Sequence, residues 1–358
     1  MIALARDHQK EEMARLWQIC FGDPAGYIRN FFDRKFETSG AVVYLSEGQV
    51  ASMAFMLPAA IRLNGGCEPV QYIYAVCTHP DYRKRGIMGR LMEAAWEQAL
   101  EAGQRFSVLL PASDDLYLYY GRMGYLEYFK RRRVQISVRE RPRGGGESGY
   151  RLLEPEPGLI WRIRQSLFGE REGFVLWDEP AVAYAISALE VYGGRIRCFE
   201  CEGRQGYVMG YVDKVRNAAV IQELAADPEL WPQAVGVAAD HFPAAAVQLS
   251  LPGDVELPGD VRLPGDAGMP ENAELPGDAG MPGNAELPGD AGMPGNAELP
   301  GNARLPGNAR RFGGWGTAAG AVERWGMIRP LNEGAAGALE RSRARGGNQA
   351  PYLGLALD

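Results

Sequence analysis

The segment from Tyr72 to Gly89 limits the fold most strongly, because it joins an apolar strand to a helix through a basic, glycine-containing turn. The β-branched and aromatic residues from Tyr72 to Thr78 predict a strand, and Pro80 cannot continue its hydrogen-bond ladder. From Gly86 onward apolar residues recur at helical spacing, which predicts a helix start. The sequence therefore predicts an α/β domain in which this strand leads directly into a helix.

The predicted turn is suited to hold a pyrophosphate group. The first amides of a helix lack carbonyl partners and carry the positive end of the helix dipole, about half an elementary charge. Glycine leaves such amides uncovered, and basic side chains add charge. The spacing matches neither G-x-G-x-x-G nor G-x-x-x-x-G-K-[ST], which argues against both nucleotide motifs. The residues predicted to form this site are Arg83, Lys84, Arg85, Gly86, Ile87, Met88 and Gly89.

Residues Arg83 to Met88 resemble a signature of the GNAT superfamily of acyl-CoA-dependent N-acyltransferases, Arg/Gln-x-x-Gly-x-Gly/Ala. Met88 stands where the superfamily usually has Gly or Ala. A bulky residue there, followed by a small or basic one, is similar to the enhanced intracellular survival (Eis-like) branch. The resemblance implies an α/β fold with a mixed twisted sheet flanked by helices, and acetyl-CoA as co-substrate.

A second block, a predicted strand, turn and short helix over Phe106 to Gly124, agrees with this resemblance. Its segment Tyr119 to Tyr125 resembles the superfamily's aromatic-Tyr-x-x-x-Gly-aromatic motif. In relatives the hydroxyl at the position of Tyr120 protonates the departing CoA thiolate. A phenol with a pKa of about 10 suits a thiolate with a pKa of about 8.5. The alternative is that Tyr120 only packs beside neighbouring tyrosines.

The resemblance also implies how acetyl-CoA is held. The backbone amides of Val76 and Thr78, on either side of Cys77, would hold pantetheine and polarise the thioester carbonyl. Asp115 and Leu116 would contact the other flank of the cofactor. No metal is expected.

The general base is left open among Asp114, Glu47 and the terminal carboxylate, because the sequence does not rank them. In the branch named above the C-terminal carboxylate acts as the base, which implies a catalytic role for Asp358. His79 precedes a proline in the turn, and we interpret it as a turn residue.

Length and composition indicate two compact domains, since the chain has 358 residues, of which 46% are hydrophobic and 23% charged. Charged residues follow Ala5 at once, so no signal peptide is expected. No apolar run approaches the roughly 18 residues that a membrane span needs. We therefore expect a cytoplasmic protein without membrane contacts.

The chain contains five cysteines, an odd number spread over a long sequence, which argues against a disulfide framework. The pair Cys198-x-x-Cys201 lacks the second pair that a zinc ribbon needs and falls on a predicted strand. We interpret both cysteines as structural.

The total net charge of −7 is distributed unevenly, because the part of the chain through Arg143 is net basic and the remainder is net acidic. A basic first part suits an anionic cofactor. The run Lys130 to Arg133 could bind nucleic acid, but it leads into the alternating residues Val134 and Ile136 and has no interleaved aromatic residues. We expect a solvated strand edge and no nucleic-acid partner.

Residues 1–140 are predicted to form the acetyl-CoA-binding domain, a mixed sheet with helices on both faces. Its closing strand is expected near Val134 to Arg139. Residues 141–149, with Pro142 and four glycines, are predicted to be a linker.

Residues 150–358 show a second α/β pattern, which resembles the degenerate GNAT-like second domain of the same branch. No Arg-x-x-Gly-x-Gly turn follows its strand Ala219 to Leu224, so we expect no CoA site there and a role in walling the acceptor pocket. Trp325 to Leu331 is predicted to be a further strand of this domain. The apolar tail Pro351 to Asp358 is predicted to be docked.

Residues 251–310 form an insert of ten hexapeptides, from Leu251-Pro-Gly-Asp-Val-Glu to Leu305-Pro-Gly-Asn-Ala-Arg. A left-handed β-helix also uses hexapeptides, but a proline in every unit argues against it. With one large apolar residue in six, burial cannot offset an ordering entropy of about 1–2 kcal/mol per residue. A mobile insert between two strands is expected.

The leading functional hypothesis is transfer of an acetyl group from acetyl-CoA to a primary amine by direct attack in a ternary complex. The alternative is an acyl-CoA-binding or peptide-binding module with little or no catalysis. The acceptor would be a small amine or a basic peptide, and homo-oligomerisation is left open.

Overall fold

The structure is a computed structural model that describes residues 1–137, 149–255, 321–345 and 350–354. Within these ranges the chain forms one sheet of eight strands and one of seven, with helices packed on them. Most of the predicted linker 141–149 and the hexapeptides after residue 255 lie outside the described residues.

The elements of the first α/β unit agree with the predicted order of strands and helices. In chain order they are β1 (Ile2–Leu4), α1 (Lys10–Phe21), α2 (Ala25–Arg34), β2 (Ala41–Ser46), β3 (Gln49–Leu63), β4 (Gly66–Thr78), α3 (Ile87–Glu101), β5 (Phe106–Leu109), α4 (Asp114–Arg122) and β6 (Leu126–Glu127).

Strands β3 and β4 are longer than the pattern predicted, because they form one hairpin. Its turn is Asn64-Gly65, and both residues have positive φ, 55° and 74°. Asn-Gly is the preferred pair for a tight hairpin turn of this kind, so the dipeptide was the signal for the longer strands.

The elements of the second unit, and the strands that follow the insert, complete the fold. They are β7 (Lys130–Ser137), β8 (Arg151–Leu153), α5 (Pro157–Phe168), β9 (Val175–Leu176), α6 (Glu179–Val191), β10 (Arg195–Cys201), β11 (Arg204–Asp213), β12 (Ala218–Ala225), α7 (Trp231–His241), β13 (Ala246–Pro252), β14 (Ala321–Arg324), β15 (Met327–Pro330) and α8 (Glu333–Arg345).

The two sheets repeat one layout. The first has the order β1-β2-β3-β4-β5-β15-β6, with β9 beside β3, and the second has the order β14-β7-β13-β12-β11-β10-β8. In each sheet an antiparallel hairpin, β3–β4 or β11–β12, is followed by a parallel neighbour, β5 or β13. The second unit is thus a topological copy of the first.

The two units exchange one strand, which the sequence analysis did not predict. Strand β7, expected to close the first sheet, pairs with β13 and β14 in the second. Strand β15, expected in the second domain, pairs with β5 and β6 in the first. Both sheet assignments were wrong, because an alternating pattern fixes which face of a strand is buried and not which sheet it joins. The division at residues 141–149 stays a prediction, and sheet membership crosses it.

The basic run on β7 does not lie at a solvated edge, contrary to the prediction, because β7 has neighbours on both sides. Arg131 is 8% exposed, and its guanidinium lies 3.3 Å from the ring centre of Trp325. Arg131 and Arg133 are 3.3 and 3.2 Å from the carboxylate of Glu323. These ion pairs hold β7 to β14, the strand that follows the insert.

A shared core joins the two units. One cluster of buried residues extends from Trp17 on α1 through Tyr74 on β4 and Tyr184 on α6 to Tyr207 on β11. A second cluster, on the other face of the first sheet, packs α3 and α4 against β4. A third packs α7 onto the second sheet.

The cysteines are all free thiols, and only Cys67 is exposed. Cys198 and Cys201 belong to different core clusters because they lie on opposite faces of β10. No helix in the described part of the chain is long and apolar enough to cross a membrane.

Candidate active site

The backbone of β4 contains a bulge at the residues predicted to hold pantetheine. The register against β3 shifts between Met53 and Phe55, so that Ala75 and Val76 together oppose Ala54. Ala75 has a φ of +46°, in the left-handed region that alanine rarely adopts. A bulge interrupts the ladder and re-aims backbone groups, and strained residues of this kind cluster at functional sites.

The C-terminal part of β4 is also not paired with β5, its parallel neighbour. Strands β4 and β5 pair from Val70 opposite Phe106 to Tyr72 opposite Val108. Beyond Tyr72, β4 continues to Thr78 while β5 ends, so an uncovered strand edge borders a gap between the two strands. An extended ligand can bind such an edge through backbone hydrogen bonds, as an added strand does.

The turn after β4 is held by its own basic side chains. Arg83 Nε donates to the carbonyl of Thr78 at 3.1 Å, and the guanidinium of Arg85 donates to the carbonyl of Asp81 at 2.8 Å. His79 Nδ1 accepts from the Asp81 amide at 3.3 Å, in agreement with its interpretation as a turn residue. The two arginines therefore fix the loop conformation in addition to supplying charge.

Helix α3 begins at Ile87 with Gly86 as its N-cap, close to the predicted start. Gly86 has a φ of +67°, and an added Cβ would meet nothing within 4 Å, so glycine is favoured by backbone conformation and not by lack of space. The amide of Arg90 donates to the Gly86 carbonyl at 3.4 Å. The amides ahead of it in the first turn belong to Ile87, Met88 and Gly89.

The side chain of Met88 points into the core, which explains a bulky residue at this position. Met88 is 6% exposed, and Ile87 is 1% exposed. Both lie beneath the helix start, so neither covers its amides. The bulk of Met88, where the superfamily has Gly or Ala, is thus accommodated in the core.

Tyr120 lies in the same buried cluster as three residues predicted to contact the cofactor, Val76, Met88 and Leu116. Burial, with a smaller effect of Tyr125, raises the pKa of Tyr120 far above its usual value, so the phenol stays protonated. A general acid must be protonated, although so high a pKa makes the phenol a weaker proton donor than an unperturbed tyrosine. The side chain of Asp115, by contrast, is exposed at the start of α4.

The helix that carries Tyr120 is held by residues that follow the insert, which the sequence analysis missed. Arg324 is 2.5 Å from the carboxylate of Asp114 and lies 4.1 Å from the ring centre of Tyr117. The amide of Gly326 donates to the Tyr117 hydroxyl at 3.1 Å. Asp114, one of the candidate bases, is therefore already paired.

A network of hydrogen bonds around Tyr125 adjoins the buried cluster that contains Tyr120. The hydroxyl of Tyr125 accepts from Trp96 Nε1 at 3.1 Å and hydrogen-bonds to Ser107 Oγ at 2.6 Å. The ring of Tyr125 lies 5.7 Å from that of Tyr120, edge to face. Helix α3, strand β5 and the end of α4 are thereby fixed relative to one another.

The C-terminal tail is docked as far as the structure describes it. Tyr352 forms a bridge to Phe174, and the carbonyl of Leu353 accepts from Trp177 Nε1 at 3.3 Å. Trp177 in turn packs edge to face on Tyr72 of β4, with ring centres 5.3 Å apart. Asp358 lies outside the described residues.

The second unit has a buried ion pair at the place equivalent to the bulge of β4. The register of β12 against β11 also shifts, and Glu223 stands beside the shift. Its carboxylate is 1% exposed and bonds Arg164 and Tyr207. Among the residues of the described ranges, no group of three His, Cys, Asp or Glu side chains could hold a metal ion.

Comparison with known proteins identifies the family of the first unit. Residues 2–127 match the family model described as an acetyltransferase (GNAT) domain. No curated protein matches the chain.

Three solved structures share the fold. A conserved protein of unknown function from Enterococcus faecalis, a probable N-acyltransferase, is 16% identical, with a TM-score of 0.60 over 92% of this chain and 72% of that one. Eis1 from Mycobacterium abscessus is 15% identical, with a TM-score of 0.56 over 72% and 67%. A GCN5-related N-acetyltransferase from Kribbella flavida is 21% identical, with a TM-score of 0.55 over 70% and 64%. The predicted fold class is confirmed.

Proposed function

Because residues 2–127 are a GNAT acetyltransferase domain and the chain is accordingly an acyltransferase, we propose that it transfers an acetyl group from acetyl-CoA to a primary amine. One observation carries the proposal. Residues 79–86 connect the bulged, uncovered stretch of β4 to the start of α3, and a buried, protonated tyrosine lies in the cluster that packs α3 and α4 against β4.

The proposed cofactor contacts follow the backbone. The amides of Val76 and Thr78, around Cys77, would bind pantetheine along the uncovered edge of β4 and polarise the thioester carbonyl. The pyrophosphate would lie on the amides at the start of α3, near Lys84. Leu116, buried beside Val76, would contact the cofactor through apolar surface, and Asp115 through the exposed start of α4.

The reaction is a direct displacement. The nitrogen lone pair of the neutral amine attacks the thioester carbonyl carbon, and the tetrahedral intermediate then breaks its carbon–sulfur bond. Tyr120 would donate its hydroxyl proton to the departing thiolate sulfur. The base would take the proton that the attacking nitrogen loses as the amide forms, and the Tyr120 phenolate would be reprotonated from solvent. No covalent enzyme intermediate is needed.

The base remains a choice between two carboxylates, because Asp114 is paired with Arg324. Glu47 lies exposed in the turn between β2 and β3. We retain Asp358 as the proposed base. It is the fourth residue after the docked Gly354, and an extended chain of four residues reaches roughly 14 Å.

The acceptor and the cellular location are also proposals. A small amine or a basic peptide would suit the net acidic second part of the chain. A cytoplasmic location is retained from the sequence analysis.

The decisive experiment measures thiol release from acetyl-CoA with a panel of amines. Tyr120→Phe should lower kcat by about 10²–10⁴-fold while leaving CoA affinity unchanged. Tyr119→Phe is the matched control, because its ring adjoins that of Tyr120 at 5.7 Å but is only partly buried. Equal turnover in wild type and Tyr120→Phe would contradict the role of Tyr120, and CoA binding without turnover would favour the binding module.

A further inference from the structure

The side chain of Ser52 on β3 contacts the peptide bond between Cys77 and Thr78, beside the bulge of β4. Ser52 Oγ donates to the Cys77 carbonyl at 2.7 Å and lies 2.9 Å from the Thr78 hydroxyl. A hydroxyl has one proton, so the Thr78 hydroxyl is the donor in the second hydrogen bond. Ser52 is 0% exposed, and a short chain of hydrogen bonds therefore ends on the Cys77 carbonyl away from water.

The backbone amide of Thr78 points away from β3. Thr78 lies opposite Ser52, and the next residue, His79, donates its amide to the Ala51 carbonyl at 2.9 Å. In an antiparallel ladder this places Thr78 at a non-hydrogen-bonded position, whose own N–H and C=O point outward from the pair of strands. The Thr78 amide therefore points to the side of β4 on which β5 has ended.

The carbonyl of Thr78 agrees with this direction. It accepts from Arg83 Nε at 3.1 Å and from Cys20 Sγ on α1 at 3.5 Å. The described part of the chain contains no cis peptide bond, and in a planar trans peptide the carbonyl and the amide point in opposite directions. The hydrogen bond from Ser52 to the Cys77 carbonyl consequently fixes the direction of the Thr78 amide.

The same hydrogen bond strengthens the Thr78 amide as a donor. Hydrogen bonds in a chain polarise one another, by about 10–30% per bond, and the effect is felt across the peptide unit. In acyl transfer, negative charge develops on the thioester carbonyl oxygen as the tetrahedral intermediate forms. A donor that is already oriented toward this oxygen stabilises the charge without further reorganisation.

We propose that Ser52 is a positioning residue for the transfer reaction, because its hydroxyl orients and polarises the peptide whose amide, that of Thr78, donates to the thioester carbonyl oxygen. This inference rests on the proposed function. Ser52 itself contacts neither the cofactor nor the acceptor, and it forms and breaks no bond to them. Its effect is greatest when the oxygen is negatively charged, so it should act on kcat more than on cofactor affinity.

The first test observes the thioester carbonyl directly and needs no turnover. Acetyl-CoA labelled with ¹³C at the thioester carbonyl is bound to the full chain without an amine, and its infrared C=O band is compared with that of free acetyl-CoA. In wild type the band should move to lower wavenumber, and in Ser52→Ala it should move less, because the Thr78 amide is a weaker donor. Ser250→Ala, at a buried serine on β13 of the second sheet, is the matched control and should give the wild-type band.

The second test separates kcat from KM in thiol release with an amine that the wild type acetylates. Ser52→Ala should lower kcat by about tenfold, which is less than for a deleted donor because the Thr78 amide remains. The KM for acetyl-CoA should change by less than about twofold, since an interaction made in the transition state has been weakened. A thermal melt checks the fold. If Ser52→Ala does not fold, Ser52→Cys takes its place with a smaller loss of kcat, because a thiol is a weak donor.

Equal band positions in Ser52→Ala and wild type, or an unchanged kcat with a raised KM, would overturn the inference. An unshifted band in the wild type would overturn it as well. A band shift that depends on Ser52, without thiol release on any amine, would support this inference and count against the proposed function.

Discussion

At the scale of the residue, Gly86 combines a backbone requirement with a proposed role in binding CoA. Replacement by alanine places a Cβ at a φ of +67°, which costs about 1–2 kcal/mol of the free energy of unfolding. The new methyl group also lies at the start of α3, so we expect weaker CoA binding. Chemical denaturation and CoA titration of Gly86→Ala measure the two effects.

Gly65→Ala provides the control for Gly86→Ala. Gly65 has a φ of +74° and an open Cβ position, but it lies in the hairpin turn between β3 and β4. We expect a similar loss of stability with CoA affinity intact. If both variants bind CoA as wild type does, the start of α3 is not the pyrophosphate site.

Buried tyrosines also predict how stability depends on pH. Burial raises the pKa of Tyr125 and Tyr184 to about 12, whereas the pKa in the unfolded chain is about 10. Their contribution is fully present below pH 10. Between about pH 10 and 12 the unfolded chain releases these protons first, so each tyrosine removes about 1.4 kcal/mol of unfolding free energy per pH unit. Urea unfolding at pH 8, 10 and 11 checks this, and unchanged stability at pH 11 would contradict it.

Sequence reasoning worked well for residues whose role is set by local backbone. Gly86 caps α3 because its neighbours impose the turn. Tyr120 packs with Val76 and Leu116 because α4 follows closely after β5. The hydrogen bond between Tyr27 and Tyr74 could not be predicted, because these residues are distant in the chain and meet only after α2 packs on β4.

At the scale of the element, the buried ion pair between Arg164 on α5 and Glu223 on β12 fastens a helix to the second sheet. Glu223→Gln would leave the guanidinium buried without its counter-charge, which costs about 3–5 kcal/mol. The control is Glu229→Gln, since Glu229 pairs with Arg204 at 2.6 Å on the surface and should cost about 0–1 kcal/mol. Denaturant unfolding compares them, and equal losses would contradict the assignment.

Element order was predictable, but sheet membership was not. The strands that became β7 and β15 were located close to their observed positions, and each was assigned to the wrong sheet. Local periodicity determines that a segment is a strand and which side is buried. The choice of neighbours depends on tertiary contacts, such as the pairing of Arg131 on β7 with Glu323 on β14.

At the scale of the whole molecule, the positions of β14 and β15 predict that the C-terminal piece stays bound to the rest of the chain after cleavage in the insert. A specific protease site placed in the middle of residues 251–310 would divide the chain into two pieces. Because β15 lies between β5 and β6, and β7 lies between β13 and β14, both pieces should co-elute in size-exclusion chromatography and separate only in denaturant. Separation under native conditions would contradict the exchanged arrangement.

The strand exchange also determines the order in which parts of the fold can form during synthesis. The ribosome makes the segment that matches an acetyltransferase domain early, but β15, which completes its sheet, follows about 200 residues later, roughly 10–40 s at ordinary rates of synthesis. Until then the edge of β5 has no antiparallel neighbour and α4 lacks Arg324 and Gly326. Helix α4, which carries the proposed acid Tyr120, is therefore among the last parts of the nascent protein to be held in place, and we expect transferase activity only after synthesis has passed β15.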